Sequence, residues 1–431
     1  LSSDFVIPAT SSPSFLAYAK SPFLSPYDFA TDGSRSNFIA DADTYLDEVI
    51  GTKASLANPT ALLTNGEAKN KNYTDCTMIS LNVAPRWKPS RNFSVTERFS
   101  FSMRSFSEEY FTAIDGMPTY VDSKEQSAIS NARFSLYSKH SAVFSDTRAD
   151  WDILSDGDHR LNAFGGVRFM NDGFNSTQET GYNTSNDKTP NGSMSETSKR
   201  IDGSDEIWRS LSYYANLDYN YQDRFYAQGQ LSVETSSRFG KDVDAGLKMF
   251  GVAWGGFPSI QGAWKISNEK WFKPNKGVNM LKLNVGFESV GNDDLNNSST
   301  ITYLSSIRLL GNTVNGSVLG NIGNPSLRWE TTNRFNAGFE GNFIENRLNV
   351  KFNYFKSKTS NLVTLGTLAY VAGLSDYYTN DGAMKNEGFD VALNGKIVNA
   401  KNFKFEMGAS VGHFKNTLTQ LPQGATSFTT D

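Results

Sequence analysis

The stretch Arg328–Phe355, RWETTNRFNAGFEGNFIENRLNVKFNYF, alternates between apolar and polar residues along most of its length. Up to Phe343 the apolar residues share one parity, with Thr331 and Asn333 as exceptions. After a break at 344–347, the alternation resumes from Leu348 to Tyr354. A side-chain period of two is typical of β-strands. The stretch is therefore predicted to be a hairpin with one apolar face and one polar face.

The apolar face of such a hairpin meets either a second sheet, as in a soluble sandwich, or lipid, as in a membrane barrel. Alternation alone fits both, but the connection lengths favour the barrel. Short turns are predicted near Pro89, Asp223, Asn346 and Ala400, and long connections at roughly 104–130, 170–208, 236–256, 289–327 and 357–388. Several long connections are rare in a compact soluble domain. Outer-membrane barrels have short turns at one rim and long loops at the other.

The bulk composition is compatible with such a barrel. The chain has 431 residues, of which 38% are hydrophobic, and its mean hydropathy is −0.45. No run of about 18 apolar residues occurs, which excludes a transmembrane helix. Barrel strands expose only alternate residues to lipid and give a weak hydropathy signal. The net charge of −4 provides no basic footprint for nucleic acid.

We therefore predict an all-β fold, a transmembrane antiparallel β-barrel with roughly ten to twelve strands in this chain. Residues 1–78 are predicted to form a loop or rim region, 79–420 the strands and long loops, and 421–431 the start of a further loop. Residues 132–169 alternate only in pieces, and strand directions would continue to alternate if 132–153 were one long strand with a bulge. Leu217 is predicted to face lipid and Asn216 a hydrated lumen, whereas Glu97 interrupts an otherwise apolar parity.

Several segments resemble the SusC/RagA-type TonB-dependent outer-membrane transporters. One is NIGNPSLRWE, in which the matching positions are Gly323, Asn324, Pro325, Leu327, Trp329 and Glu330. Another is GAMKNEGFD, in which they are Gly382, Met384, Asn386, Gly388, Phe389 and Asp390. DHRLNAFGGVRF, SSRFG followed by FPSIQGAWKISNEKWF, and LKLNVGFESVGNDDL also match, and the segments occur along the chain in the same order as in the family. The stretch KDVDAGLKMFGVAWGG after SSRFG is longer than the family pattern.

The resemblance implies that this chain is the middle-to-late part of a barrel of about 22 strands. The family's plug domain, its energy-coupling box and its terminal strands have no counterpart here, so we expect further residues on both sides. The implied function is import of an oligomeric nutrient, a glycan or a peptide, across a bacterial outer membrane. The implied partners are a SusD-like surface lipoprotein and the TonB–ExbB–ExbD complex. The alternatives are a passive porin or adhesin barrel and a soluble carbohydrate-binding β protein.

No catalytic motif occurs, which predicts a protein that is not an enzyme and uses no cofactor. His140, His159 and His413 lie far apart and are interpreted as structural. The acidic pairs Asp156/Asp158 and Asp293/Asp294 lack EF-hand spacing, so a calcium site is only a secondary hypothesis. Aromatic residues in the long connections are the better ligand-contact candidates, because aromatic faces stack on sugars and peptide side chains. These candidates are Tyr110, Phe111, Tyr120, Trp254, Phe257, Tyr377 and Tyr378.

The alternative interpretation of these aromatics is packing within the loops or contact with a partner lid. Trp87 and Trp329, at the ends of predicted strands on the apolar parity, are instead predicted to belong to the aromatic girdles at the membrane interfaces.

Overall fold

The computed structural model describes residues 27–38, 58, 60, 72–112, 114, 120–121, 128–129, 131–184, 198–244, 247–273, 275–295, 297, 299–309, 314–368, 374 and 376–421. The chain forms two compact units. The first comprises Leu1–Ser80, Ser102–Ser141 and Gly173–Glu206, and the second comprises Leu81–Phe101, Ala142–Asp172 and Ile207–Asp431. Among the described residues, no helix is long and apolar enough to cross a membrane.

The strands of the first half are β1 (Tyr27–Phe29), β2 (Arg35–Phe38), β3 (Asn72–Val83), β4 (Arg86–Ser90), β5 (Phe93–Thr112), β6 (Tyr120–Val121), β7 (Ala128–Ile129), β8 (Ala132–Ser155), β9 (His159–Tyr182) and β10 (Ser198–Tyr221). Those of the second half are β11 (Phe225–Ser236), β12 (Leu247–Met249), β13 (Val252–Lys265), β14 (Val278–Asn292), β15 (Tyr303–Leu309), β16 (Val314–Asn321), β17 (Glu330–Phe343), β18 (Leu348–Thr367), β19 (Asp376–Asn399) and β20 (Lys404–Gln420). A short 3-10 helix, Ile266–Asn268, follows β13.

One large sheet dominates the fold. Its strands follow a single path in the order β20-β19-β18-β17-β14-β13-β11-β10-β9-β8-β5-β3, with β12 paired to β13 and β4 paired to β5. Neighbours in sequence are thus neighbours in space, as in an up-and-down barrel. The path of twelve strands agrees with the ten to twelve predicted from the alternation. In the described part of the chain, β3 and β20 each have one neighbour in this sheet.

The register aligns the apolar residues of eight strands in one row. Each member of this row lies directly opposite the next: Tyr221, Phe225, Trp264, Leu283, Phe339, Phe352, Val391 and Val411. Because successive side chains of a strand point to opposite faces, this row defines an apolar face. Many of its large side chains are exposed, among them Val285, Phe287 and Leu393. A broad exposed apolar face of this kind is what a lipid-facing sheet requires.

The adjacent row defines the polar face of the sheet. Its members, again directly opposed, are Asn220, Tyr226, Ala263, Asn284, Gly338, Asn353, Asp390 and Gly412. A slip of one residue in any pairing would exchange the two faces. The register therefore confirms the hairpin predicted from Arg328–Phe355 and extends its two-faced pattern to the neighbouring strands.

Leu217 and Asn216 lie on opposite faces, as predicted, but their surroundings differ from the prediction. Leu217 is 54% exposed on the apolar face, whereas Asn216 is only 3% exposed. The amide nitrogen of Asn216 has no hydrogen-bond partner among the described atoms. The prediction that Asn216 faces open water is therefore wrong. A better probe of the hydrated face is Gln230, which lies directly opposite Asn216 and is exposed.

Glu97 is a charged residue among the apolar positions of β5, and hydrogen bonds from the neighbouring strand satisfy its carboxylate. Its carboxylate accepts a hydrogen bond of 2.8 Å from Ser145 Oγ and another from the Thr147 hydroxyl, both on β8. A polar group on a lipid-facing surface is costly unless it is satisfied within the protein. The two hydroxyls therefore explain how a carboxylate is tolerated at this position.

The strands are longer than the alternation predicted. β8 is a single strand from Ala132 to Ser155, which agrees with the long strand considered for 132–153. The connection expected at 170–208 is wrong in extent, because β9 continues to Tyr182 and β10 begins at Ser198. Likewise β3 begins at Asn72, inside the region predicted to be loop or rim. These extensions are polar in sequence, and backbone pairing rather than side-chain periodicity maintains them.

The first unit buries side chains of both parities. Ala132, Arg133 and Phe134 are consecutive residues of β8, and all are buried. Arg133 forms an ion pair of 2.8 Å with Glu179, and Asn131 Nδ2 donates a 2.6 Å hydrogen bond to Thr184 Oγ1. Burial on both faces explains why the sequence shows weak periodicity at the start of this strand.

Hydrogen bonds connect neighbouring turns at the short-turn rim of the second unit. Asp223, in the turn between β10 and β11, accepts bonds of 2.8 and 2.9 Å from Arg160 Nη2 and one of 2.7 Å from Asn220. Glu269, after the 3-10 helix, accepts a 2.9 Å bond from Trp264 Nε1 and a 3.0 Å bond from Arg224. These bonds hold three consecutive hairpins together.

The two faces of β11 provide a direct mutational test. We expect Leu231→Arg to lower the free energy of unfolding by roughly 2–4 kcal/mol, because the charge would enter the lipid-facing surface. The adjacent Gln230→Arg should cost much less, because this exposed side chain lies on the polar face. Urea unfolding in lipid or detergent measures both variants. Equal losses for the two would contradict the assignment of the faces.

The rim also predicts a pH dependence of stability. Hydrogen bonding from Asn220 and the nearby Arg160 lowers the pKa of Asp223 below its ordinary value of 3.8. The Trp264 indole and Arg224 lower the pKa of Glu269 below 4.5. A carboxylate whose pKa is lowered by folding contributes stability above its ordinary pKa and loses it as the pH falls through the lowered pKa.

We therefore expect the stability contributed by these two groups to be constant at neutral pH and to decline below about pH 4. Asp223→Asn and Glu269→Gln should each flatten that decline, because neither replacement titrates. Urea midpoints at a series of pH values provide the comparison. If the urea midpoint of both variants declined below about pH 4 as steeply as that of the native protein, the rim carboxylates would not be responsible for the decline.

Candidate functional site: the polar face and the loop clamp

Charged residues of opposite sign face each other across β14, β17 and β18. Arg334 lies opposite Glu288 in the register, with Nε 3.8 Å from Oε1. Lys351 lies opposite Glu340, with Nζ 3.3 Å from Oε1. Exposed pairs of this kind contribute little to stability. Their main consequence is a strongly hydrophilic wall on the polar face.

Asp146 forms a second charged centre on this face. Its carboxylate is buried, accepts a 2.6 Å hydrogen bond from the Tyr214 hydroxyl, and lies 3.6 and 3.8 Å from Arg98 and Arg168. A Cβ at Gly166 would lie 2.6 Å from the Tyr214 hydroxyl oxygen, so glycine leaves the room that the tyrosine needs. Both arginines remain half-exposed, which leaves donors available to a polar solute.

A cationic cavity of about 400 Å³ lies near the turn between β4 and β5. Five cationic and two anionic side chains line it: Arg86, Lys88, Arg91, Arg98, Arg148, Asp150 and Asp152. Arg86 Nη2 donates a 3.0 Å bond to Ser94 Oγ, and Arg148 pairs with Asp150 at 2.5 Å. The chain as a whole is acidic. The lining of this cavity therefore carries a local excess of positive charge, and its arginines are of the type that binds carboxylate and phosphate groups.

Phe355 is an aromatic residue on the polar face that sequence reasoning missed. It lies opposite Asn336 and Gly388, and the guanidinium of Arg334 is 4.9 Å from its ring centre. A Cβ at Gly388 would lie 2.9 Å from the Phe355 ring and 2.3 Å from the backbone oxygen of His413. Gly388, the second glycine of the GAMKNEGFD motif, thus leaves the space that the Phe355 ring occupies. The parity of Phe355, opposite to that of Phe352, was the available sequence signal.

Two of the predicted ligand-contact aromatics are packed inside the protein. Trp254 is buried, its ring stacks on Tyr213 at 5.6 Å, and its Nε1 donates a 3.0 Å bond to the backbone oxygen of Met249. Phe257 is 8% exposed and makes an edge contact with Trp329 at 6.4 Å. This burial favours the packing alternative for both residues.

The remaining candidates are divided between the two units. Phe111 is buried in the first unit, and the neighbouring Tyr110 is half-buried. Tyr120 lies in β6, but its side chain is outside the described residues. Tyr377 and Tyr378 are half-buried near the start of β19 in the second unit. A role in ligand contact stays a prediction for all seven residues, and the burial of Phe111, Trp254 and Phe257 makes them the weaker candidates.

The GNPSLRWE segment, residues 323–330, forms a clamp between loops of the second unit. Backbone hydrogen bonds join it to the loop after β11: Gly240 N donates to Leu327 O at 3.0 Å, and Asp242 N donates to Pro325 O at 2.9 Å. A Cβ at Gly240 would lie only 1.7 Å from Pro325 O, so this approach requires glycine. Leu327 and Val243 are fully buried. The motif therefore has a structural role in fixing these loops.

Asn380 and Glu330 fasten the other side of the clamp. The Asn380 side chain accepts a 2.9 Å bond from Arg328 N and donates bonds of 2.9 and 2.8 Å to Arg328 O and Asn361 O. Glu330 accepts bonds of 2.8 Å from Val363 N and 2.9 Å from the Asn292 amide. Side chains thus satisfy backbone groups where the sheet ladder ends, as buried polar groups require.

The prediction that Trp329 belongs to an interface girdle is wrong, because this residue is buried. It is 5% exposed and packs in a cluster with Val243, Ala253 and Phe257, and Phe239 stacks on it at 3.9 Å. Trp329 precedes the first residue of β17, so strand parity did not apply to it. Trp87, by contrast, is exposed on β4, which is consistent with a place in an interface girdle.

The acidic pairs considered for calcium make protein hydrogen bonds. Asp158 accepts a 2.8 Å bond from Gln222, and Asp293 accepts bonds of 2.9 and 3.2 Å from Ser236 Oγ and Trp208 Nε1. In the part of the chain that the structure describes, no three metal-ligating side chains are grouped. Calcium binding stays a prediction at these positions.

Comparisons with known proteins identify the family. A family model described as "TonB dependent receptor-like, beta-barrel" matches residues 9–430. TonB-dependent receptor P26 of Formosa agariphila is 28% identical over 268 residues, which cover 61% of this chain and 26% of that protein. SusC of Bacteroides thetaiotaomicron is 25% identical over 221 residues, which cover 50% of this chain and 21% of that protein. The chain thus spans only about a fifth to a quarter of these curated relatives.

The fold is also similar to a solved structure. The RagAB peptide transporter superposes with a TM-score of 0.73 at 18% identity, covering 92% of this chain and 41% of that one. At this identity the likeness shows the fold alone. It agrees with the two-faced, up-and-down sheet described above. The chain therefore belongs to the family of TonB-dependent receptor-like β-barrels of the outer membrane, and it is similar to SusC within that family.

Proposed function

We propose that this chain forms part of the wall of an outer-membrane importer for an oligomeric nutrient, a glycan or a peptide. The observation that carries the proposal is the sheet with one continuous apolar face and one charged, hydrogen-bonding face. The apolar face contacts lipid, and the polar face lines the lumen through which the nutrient passes. SusC and the RagAB peptide transporter, which this chain resembles, support this assignment.

The sheet suggests how the complete barrel closes. In the described chain, β3 and β20 each pair with one neighbour in the sheet. Unpaired backbone groups are not tolerated in the hydrocarbon region, so a spanning sheet has to close on itself. We propose that further strands pair with both edges and that a plug domain fills the lumen. These elements belong to the same receptor or to a second chain.

Transport would involve binding and movement without covalent change. Energy would come from the TonB–ExbB–ExbD complex, and a SusD-like surface lipoprotein would cover the long-loop rim. The clamp at 323–330 suits such a lid, because it joins the loop after β11 to β18 and β19. Rigid loops lower the entropic cost of binding a partner or a ligand.

An uptake experiment tests the proposal. Cells that carry the native receptor should take up labelled oligopeptides or oligosaccharides only when TonB is present. Phe355→Ala removes an aromatic ring from the polar face and should lower uptake per folded receptor. Phe352→Ala, a matched change on the apolar face, should leave it close to native. The class of nutrient that accumulates identifies the substrate.

Two outcomes would contradict the proposal. Uptake that continues without TonB would identify a passive pore. A loss of transport for Phe352→Ala but not for Phe355→Ala, at equal amounts of folded receptor, would show that the polar face does not line the pathway.

A further inference from the structure

The connection between β13 and β14 places an aromatic and cationic segment at the short-turn rim, on the apolar side of the sheet. This rim segment is residues 266–273, ISNEKWFK. It follows Trp264, which belongs to the apolar row between Phe225 and Leu283. Trp271 contacts Trp264 edge-on at 6.5 Å, so it continues the aromatic surface beyond the end of the strand.

Trp271 presents most of its side chain at the surface of the rim segment. It is 65% exposed and has Phe272 beside it at 6.2 Å. Tyr221, Phe225 and Trp264 form a stack along the same rim, with centroids 6.5 and 6.0 Å apart. Trp and Tyr collect where a membrane meets water, because their rings are apolar and their N–H or O–H groups stay hydrated. The aromatic stack therefore marks the depth of the interface.

Hydrogen bonds fix the rim segment rigidly. Glu269 accepts bonds from Trp264 and Arg224, and its own backbone N–H donates to Ile266 O at 3.0 Å. Asn268 Nδ2 donates a 3.0 Å bond to Asp223 O in the neighbouring turn. Phe272 N–H in turn donates a 3.0 Å bond to Glu269 O, so the bonded residues on either side of Trp271 place this side chain before any ligand arrives.

The charge of the segment is complementary to an anionic surface. Its one carboxylate, Glu269, is already paired with Arg224 at 3.0 Å. Lys270 and Lys273 flank Trp271 and Phe272, are exposed, and form no ion pair within the described part of the chain. Two unpaired ammonium groups beside an interfacial tryptophan match the phosphate of a phospholipid headgroup, and lysine side chains reach such groups readily.

We propose that the rim segment is a binding site for an anionic phospholipid of the leaflet at the short-turn rim. Lys270 and Lys273 bind the headgroup phosphate, and Trp271 packs against the acyl chain where it enters the hydrocarbon. The inference depends on the apolar face contacting lipid and not on which nutrient is imported. Its occupant is a lipid rather than a soluble anion, because the aromatic surface continues directly into the apolar row.

Lipid retention by the complete receptor tests this site. The receptor is purified from the outer membrane, placed in nanodiscs of mixed phosphatidylglycerol and phosphatidylcholine, and released into native mass spectrometry. Lys270→Gln/Lys273→Gln should lower retained phosphatidylglycerol by roughly fivefold for each lysine removed. Retained phosphatidylcholine should not change. Trp271→Ala should lower the retention of both lipids, because it removes the apolar contact.

The matched control is Lys282→Gln/Lys351→Gln, which removes the same charge from the polar face, where both lysines lie opposite Glu340. It should retain phosphatidylglycerol as the native receptor does. Native retention in Lys270→Gln/Lys273→Gln would overturn the proposal, and so would an equal loss in the control. Neither outcome bears on nutrient uptake, so this experiment and the uptake experiment test the two proposals independently.

Discussion

Every backbone N–H and C=O that lies in hydrocarbon has to be paired within the protein, because lipid offers no hydrogen-bond partner. In this chain the requirement is met by long ladders between sequential neighbours, such as the thirteen opposed pairs from Thr331↔Ser360 to Phe343↔Leu348. The ladders fix the register, and the register fixes which side chains share a face. The two faces and the loop positions follow from this one constraint.

The faces differ in how they tolerate exceptions. A polar residue on the apolar face needs a partner inside the protein, as Glu97 has in the hydroxyls of Ser145 and Thr147. The polar face tolerates both charge and aromatic rings, as Asp146 and Phe355 show. The two faces therefore place different demands on substitutions, because only the polar face accepts an unpaired charge.

The sequence predicted the features that depend on alternation. It identified the hairpin around Asn346, the two faces and the long strand β8. It could not predict the strand extensions at 170–182 and 198–208, because backbone hydrogen bonds maintain them without a side-chain pattern. It also misplaced Trp329, because parity has no meaning outside a strand and the clamp that buries this residue is formed by distant segments.

The candidate site was harder to predict than the fold, for the same reason. Trp254 and Phe257 looked like loop aromatics available to a ligand, and tertiary packing covers both. Sequence reasoning did not identify Phe355 as a residue of the polar face, because Tyr354 beside it already fitted the alternation of apolar residues. Ligand contact depends on which ring remains uncovered after folding, and local sequence does not contain that information.

The proposed import pathway requires an apolar face that contacts lipid and a polar face that contacts water. Single cysteines placed at positions 348–354 of β18, with Cys76 replaced by alanine and a fluorophore attached, test it most directly in proteoliposomes. We expect a lipid-soluble agent to quench the fluorophore at 348, 350, 352 and 354, and a water-soluble agent to quench it at 349, 351 and 353. Equal quenching at both parities, or the opposite alternation, would contradict it.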